Sequence, residues 1–167
     1  MQRSTGFDAV ARHDARILVL GSLPGRRSIK QQQYYAHPRN AFWPIMQALY
    51  EIRGNYAERL GQLVDNRIAL WDVLQSSVRP GSLDGSIATS SARANDFSAL
   101  FRVCPDIRLI AFNGQKAGQL FRKLVPPVPD PAVIEQVCLP STSPAYAAMP
   151  FSVKLAQWRE ALAPANG

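Results

Sequence analysis

The sequence predicts an α/β fold of three layers, a central and mainly parallel four-stranded sheet with helices on both faces. Four short apolar runs, rich in β-branched or aliphatic residues, lie at 16–20, 67–71, 107–112 and 133–139 and read as buried strands. Between them come stretches with apolar residues at helical spacing, such as Phe42, Ile45, Met46 and Leu49, or Phe97, Leu100 and Phe101. Strand and helix therefore alternate, the order expected when parallel strands are joined by helical crossovers.

Each run leads into a distinctive loop. The first, from Arg16 to Leu20, ends in Gly21-Ser-Leu-Pro-Gly25; the second, from Arg67 to Trp71, in Asp72; the third, from Ile107 to Phe112, in Asn113-Gly114; the fourth, from Val133 to Leu139, in Pro140-Ser-Thr-Ser-Pro-Ala145. In an open parallel sheet ligands bind outside the carboxyl ends of the strands, so these loops are where chemistry is expected. Pro126, Pro127, Pro129 and Pro131 can neither continue a helix nor enter a central strand, and predict a stiff surface connection. Phe151, Leu155, Trp158 and Leu162 fall on one face of a last helix, followed by a frayed tail from Pro164. At 167 residues and 47% hydrophobic content the chain is expected to form one domain, and to act as a monomer.

Composition narrows the function classes. No secretory pattern opens the chain and no apolar stretch approaches the length of a membrane span, so a cytoplasmic, nucleoid-associated protein without membrane contact is expected. Cys104 and Cys138 lack the paired spacing of a zinc or iron–sulfur site and read as core thiols; His13 and His37 have unrelated neighbours; no metal and no cofactor is expected. The net charge of +7 and pI near 9.9 rest mostly on arginines, scattered along the chain at positions that include 26, 27, 39, 79, 93, 102 and 122. That balance permits a polyanionic partner without a basic tail.

Two segments could carry chemistry. The first loop is flanked by glycines and opens into Arg26, Arg27 and Ser28, so its backbone N–H groups could approach a ligand; it has neither the P-loop nor the dinucleotide spacing. Tyr34-Tyr-Ala-His-Pro-Arg-Asn-Ala-Phe-Trp43 then concentrates aromatics, His, Pro and Asn where a surface loop is normally small and polar. Taken alone, Asn40 stands where a helix N-cap belongs, with Pro44 in the first turn, and Phe42 and Trp43 fit a core.

Together, Gly21-Ser-Leu-Pro-Gly25 and Tyr35-Ala-His-Pro-Arg-Asn-Ala-Phe-Trp43 resemble the first motif of the mismatch-specific enzymes of the uracil-DNA glycosylase superfamily, and most closely its hypoxanthine-DNA (deoxyinosine) glycosylase branch. The mismatch-specific motif has an Asn that positions water where this chain has Leu23, which cannot do so. The resemblance to the hypoxanthine branch implies Asn40 as the catalytic residue and Tyr35 as the aromatic that stacks on the extruded base. Leu139-Pro-Ser-Thr-Ser-Pro-Ala-Tyr146 resembles the superfamily's second motif, which implies that Ser141, Thr142, Ser143 and Pro144 meet DNA. Ser143 and Pro144 equally suit a helix start, as cap and first residue.

The resemblance extends through Ile68-Ala-Leu-Trp-Asp-Val-Leu-Gln75 and Ile110-Ala-Phe-Asn-Gly114. It implies a base pocket of Gly21, Ser22, Leu23, Tyr35, Phe42, Trp71, Asp72 and Asn113, and DNA contacts from Arg26 and Arg39. A buried Trp71 and a turn-forming Asn113-Gly114 fit the same residues. The implied substrate is DNA holding a deaminated base, flipped from the duplex and released by a monofunctional glycosylase. Asp72 is the one acid near the loop cluster and a second candidate for catalysis, while no lysine holds a place suited to Schiff-base chemistry. Uracil at mispaired sites is the alternative substrate. A noncatalytic nucleic-acid-binding module is the alternative from another class; a small-molecule hydrolase is disfavoured by the absence of Gly-x-Ser-x-Gly.

Overall fold

The computed structural model describes residues 3–78, 91–127 and 134–166. After a short strand β1 (Arg3–Thr5) come β2 (Ile17–Gly21), α1 (Arg26–Gln31), α2 (Phe42–Tyr50), α3 (Tyr56–Asp65), β3 (Ile68–Asp72), β4 (Leu74–Val78) and β5 (Arg93–Ala94). The chain continues as α4 (Phe97–Val103), β6 (Leu109–Asn113), α5 (Gln115–Leu124), β7 (Glu135–Leu139), a 3-10 turn (Pro144–Tyr146) and α6 (Phe151–Leu162).

The four predicted strands form one sheet in the order β3-β2-β6-β7, and all three pairings are parallel. β2, β3 and β6 start and end one or two residues later than the apolar runs that mark them, because the residue after each run, Gly21, Asp72 or Asn113, still pairs. β2 and β6 are buried along their whole length, as interior strands covered on both faces must be. β7 is an edge and largely exposed, which leaves Cys138 at the surface instead of in the core where the sequence placed it. Cys104 is buried as expected.

Alternation along the strands sends successive side chains to opposite faces, and each face has its own core. Leu18, Leu20, Ala69, Ile110 and Phe112 pack beneath α4 and α5 with Phe97, Phe101, Leu120 and Phe121. Ile17, Val19, Ile68, Leu70 and Ala111 pack beneath α2, α3 and α6 with Phe42, Ile45, Met46, Leu63 and Trp158. The result is the three-layer sandwich predicted. β1, β4 and β5 add a small antiparallel sheet that no apolar run announces.

α3 begins with a full capping box between Asn55 and Glu58, and α6 spans the predicted residues. The tail ends in a 3-10 turn over Ala163–Asn166 instead of fraying at Pro164. Pro126 and Pro127 are exposed; Arg79, Pro129, Pro131 and Val133 lie outside the described residues. Among those described, no helix is long and apolar enough to cross a membrane.

Candidate active site

β2 leads to β3 on one side, and β6 then joins it on the other. The chain thus reverses direction across the sheet at β2 and β6, whose carboxyl ends flank the crevice where such folds place ligands. The last residues of β2, β3 and β6 are Gly21, Asp72 and Asn113. By strand alternation all three face the side of Tyr34, Phe42 and Trp158. Asp72 is only 4% exposed and stands directly against Gly21. A Cβ on Gly21 would lie 2.5 Å from Asp72 Oδ1 and 3.3 Å from the Tyr35 hydroxyl, so residue 21 is glycine because these two groups occupy its side-chain space.

The aromatic segment crosses above this edge, anchored at both ends. The Tyr34 N–H donates to the Tyr56 hydroxyl at 2.9 Å, the Trp43 indole donates to the Tyr34 carbonyl at 3.0 Å, and the Ala36 N–H donates to Ser28 Oγ at 3.1 Å. Burial pushes the Tyr34 phenol far above its ordinary range, with Asp72 adding to the rise. Between the anchors Tyr35 is held at φ 55°, a left-handed conformation that costs a non-glycine residue free energy and persists where its surroundings impose it. Its ring stacks on Phe42 at 4.3 Å and 21°, so one face rests on the core.

Asn40 lies two residues before α2. Its N–H donates to the His37 carbonyl and its Oδ1 accepts the Phe42 N–H, both at 2.9 Å. A backbone donor therefore decides which end of the amide is oxygen. Ala41 holds the position next to the helix and contributes no side-chain cap; Asn40 caps from one residue farther out. Its Nδ2 has no partner among the described residues. Arg39 donates its N–H to His37 Nδ1 at 3.1 Å, which leaves the neutral ring's proton on Nε2.

The loop after β7 closes the crevice. Thr142 is 1% exposed; its N–H donates to Asn113 Oδ1 and its Oγ1 accepts from Asn113 Nδ2, each at 2.9 Å. Its carbonyl accepts the Ala41 N–H at 2.9 Å, tying the two loops together beside Asn40. From below, the Trp158 indole donates to the Pro140 carbonyl at 3.0 Å. Gly114, at φ 98°, leaves room for Ser141, whose Cβ would be 3.2 Å from a Cβ there. Ser143 Oγ accepts the Ala145 N–H, capping a 3-10 turn with Pro144 first: the predicted helix start, shortened to one turn.

Gly21, Tyr35, Asn40, Phe42, Asp72, Asn113, Ser141 and Thr142 thus come together. Trp71 does not. As Asp72's neighbour in a strand it points to the opposite face, where it packs on Phe97 at 5.2 Å and donates to the Phe7 carbonyl. Leu23 joins that opposite core too. Asn113 faces the crevice, but both ends of its amide are taken by Thr142, which makes it the clamp on the loop. Ser22 is buried at the turn, and Arg26 and Arg39 are exposed on the rim. The sequence put Phe151 on the packed face of α6 with Leu155, Trp158 and Leu162, but Phe151 is 44% exposed and the buried stripe is Lys154, Trp158 and Leu162.

The chain is similar to known proteins over most of its length. Residues 7–163 match the model of the Uracil DNA glycosylase superfamily. A Methanosarcina acetivorans protein named hypoxanthine DNA glycosylase is 45% identical over 117 residues, 68% of this chain and 73% of that protein. One of the same name from Methanosarcina barkeri is 39% identical over 120 residues, covering 70% and 75%. A solution NMR structure from Methanosarcina acetivorans, provisionally described as a uracil DNA glycosylase, superposes with a TM-score of 0.75 at 37% identity, over 95% of this chain and 98% of that one.

Proposed function

Because this chain belongs to the Uracil DNA glycosylase superfamily, we propose that it is a monofunctional DNA glycosylase of base-excision repair that cleaves the N-glycosidic bond of a displaced deaminated base, hypoxanthine foremost. The two relatives named for that activity support the choice of base. The observation that carries the assignment is Asn40, its amide oriented by the Phe42 N–H and its backbone joined through Ala41 to the Thr142 loop.

The rim arginines Arg26 and Arg39 hold DNA phosphates, and Ser141, Thr142, Ser143 and Pro144 present the loop to the strand from which the nucleotide is displaced. The extruded base lies against the face of Tyr35 that Phe42 leaves open. Asp72 offers an acceptor to the N1–H of hypoxanthine, which adenine lacks. As the glycosidic bond lengthens, positive charge grows on the sugar and negative charge on the base. Asn40 Nδ2 is a donor for the departing base or the attacking water, and the remaining lone pair of Oδ1 can align that water. Neither role requires a strong general base; rate comes from positioning and fixed dipoles.

Asn40→Ala tests this on a duplex containing deoxyinosine. Excision should fall by roughly 10²–10³-fold, as when a positioned amide donor is removed, and stability by about 1 kcal/mol for the lost cap. Asn40→Ser restores a capping oxygen but cannot reach as far, so it should regain stability and not excision. Normal turnover by Asn40→Ser would remove Asn40 from the chemistry.

A further inference from the structure

Tyr35 stands in a backbone conformation that its own sequence does not call for. Among the described residues, Gln32, Tyr35, Glu51 and Arg67 are the non-glycine residues with positive φ. Gln32 and Glu51 close α1 and α2, and Arg67 follows Asn66 at the end of α3, where a left-handed residue is a common way to stop a helix. Tyr35 ends no helix, and for so bulky a side chain a φ of 55° is an outlier that its surroundings must impose.

The groups that impose it can be named, because the conformation of Tyr35 is set by the two peptide groups that flank it. The one before carries the Tyr34 carbonyl, which accepts the Trp43 indole N–H at 3.0 Å; the one after carries the Ala36 N–H, which donates to Ser28 Oγ at 3.1 Å. Ser28 is 7% exposed and is the buried residue of α1. Tyr56, the first residue of α3, accepts the Tyr34 N–H at 2.9 Å and meets the Trp43 ring edge-on at 6.1 Å and 88°. The Arg59 guanidinium lies 4.6 Å from the Trp43 ring centre and 5.8 Å from that of Tyr56, so one cation covers both rings. With its backbone so held, Tyr35 keeps one face of its ring on Phe42, at 4.3 Å.

We propose that Ser28 and Tyr56 are positioning residues for base capture: by holding Tyr35 in its left-handed conformation they fix the ring against which the extruded base stacks. The inference rests on the reading of Tyr35 as the stacking aromatic but not on the chemistry of base release. It gives α1 and α3, which supply nothing to the bond that breaks, a part in choosing a base over an empty site. Neither side chain touches the base; each acts through a backbone N–H beside Tyr35.

The test is binding of the full chain to two duplexes, one with 2′-fluoro-deoxyinosine, whose glycosidic bond resists cleavage, and one with a tetrahydrofuran abasic site, which has no base to stack. Tyr35→Ala, the reference, should lose roughly 5- to 150-fold on the first duplex, the range for one base stacked on an aromatic ring, and nothing on the second. Ser28→Ala and Tyr56→Phe, which each delete one hydroxyl, should lose roughly 5-fold or more on the first, as Tyr35 relaxes from a strained conformation, and keep wild-type affinity for the second. Added to Tyr35→Ala, neither should weaken lesion binding further, because a residue that acts through the ring has nothing left to act on. Wild-type lesion binding by either single variant, an equal loss on both duplexes, or a loss that adds to that of Tyr35→Ala overturns the positioning role and leaves the stacking role of Tyr35 intact. Wild-type lesion binding by Tyr35→Ala overturns both.

Discussion

A single methyl group at residue 21 should damage the site more than its size suggests. In Gly21→Ala the new Cβ would stand 2.5 Å from Asp72 Oδ1 and 3.3 Å from the Tyr35 hydroxyl, and the first distance is too short for either atom to stay. The backbone cannot yield easily, because β2 is hydrogen-bonded on both sides, so Asp72 and Tyr35 must move. Overpacking of this kind costs about 1–3 kcal/mol, which for a chain of this size lowers the melting temperature by roughly 2–12 °C. A displacement of about 1 Å in a positioning group can cost on the order of 10²-fold in rate. Excision on a deoxyinosine duplex should therefore fall further than the loss of folded protein explains. Gly61→Ala is the control: within α3 it meets nothing within 4 Å, and alanine there should stabilise the helix by about 0.5–1 kcal/mol. Thermal melts and single-turnover excision on both variants decide the matter. A Gly21→Ala protein that melts and turns over like wild type would show that Asp72 and Tyr35 do not form one side of a working pocket.

Asn113→Ala removes both hydrogen bonds to Thr142 and strands a buried N–H; it should cost about 3 kcal/mol and loosen the second loop. Chemical denaturation would show it, and unchanged stability would contradict the clamp. Tyr34→Phe loses the hydrogen bond of the phenol to the Asp8 carbonyl at any pH, and should change the pH dependence of stability only in alkali. An unfolded tyrosine ionises near pH 10, whereas burial keeps Tyr34 neutral to higher pH; its contribution is therefore full below about pH 10 and lost as the pH rises above it. Denaturation curves from about pH 9 to 11 should fall less steeply for the variant, and equal slopes would place the phenol in water.

What the sequence made legible follows from periodicity. Strands that end in Gly21, Asp72 and Asn113, with glycine or a turn after them, are visible as apolar runs, and their carboxyl ends locate the crevice before any coordinates. The same period of two already forbids Trp71 and Asp72 from sharing a face, a constraint that reading pocket residues off a motif overlooks. Other features depend on tertiary contact. Nothing local says that Asn113 spends its amide on a residue 29 positions away, or that Cys138 lies on an edge strand. β1, β4 and β5 escape because short strands of Ser and Arg carry no apolar signal, and pair only because the larger sheet brings them together.

The division of faces also accounts for the placement of polar function. Leu23 lies in the first loop, where related motifs carry an amide, but its side chain packs into the core with Phe97, Phe101 and Phe121. A polar group there would be buried away from the crevice and without a partner, at a cost of about 1–3 kcal/mol. Asn40 escapes that cost because α2 needs an acceptor at its start. One end of the amide meets a backbone requirement, which fixes the orientation, and the other end has no partner among the described residues, as the proposed role requires. A residue so held loses little freedom when substrate binds, and preorganisation of this kind is how a positioned amide would act in the proposed bond cleavage.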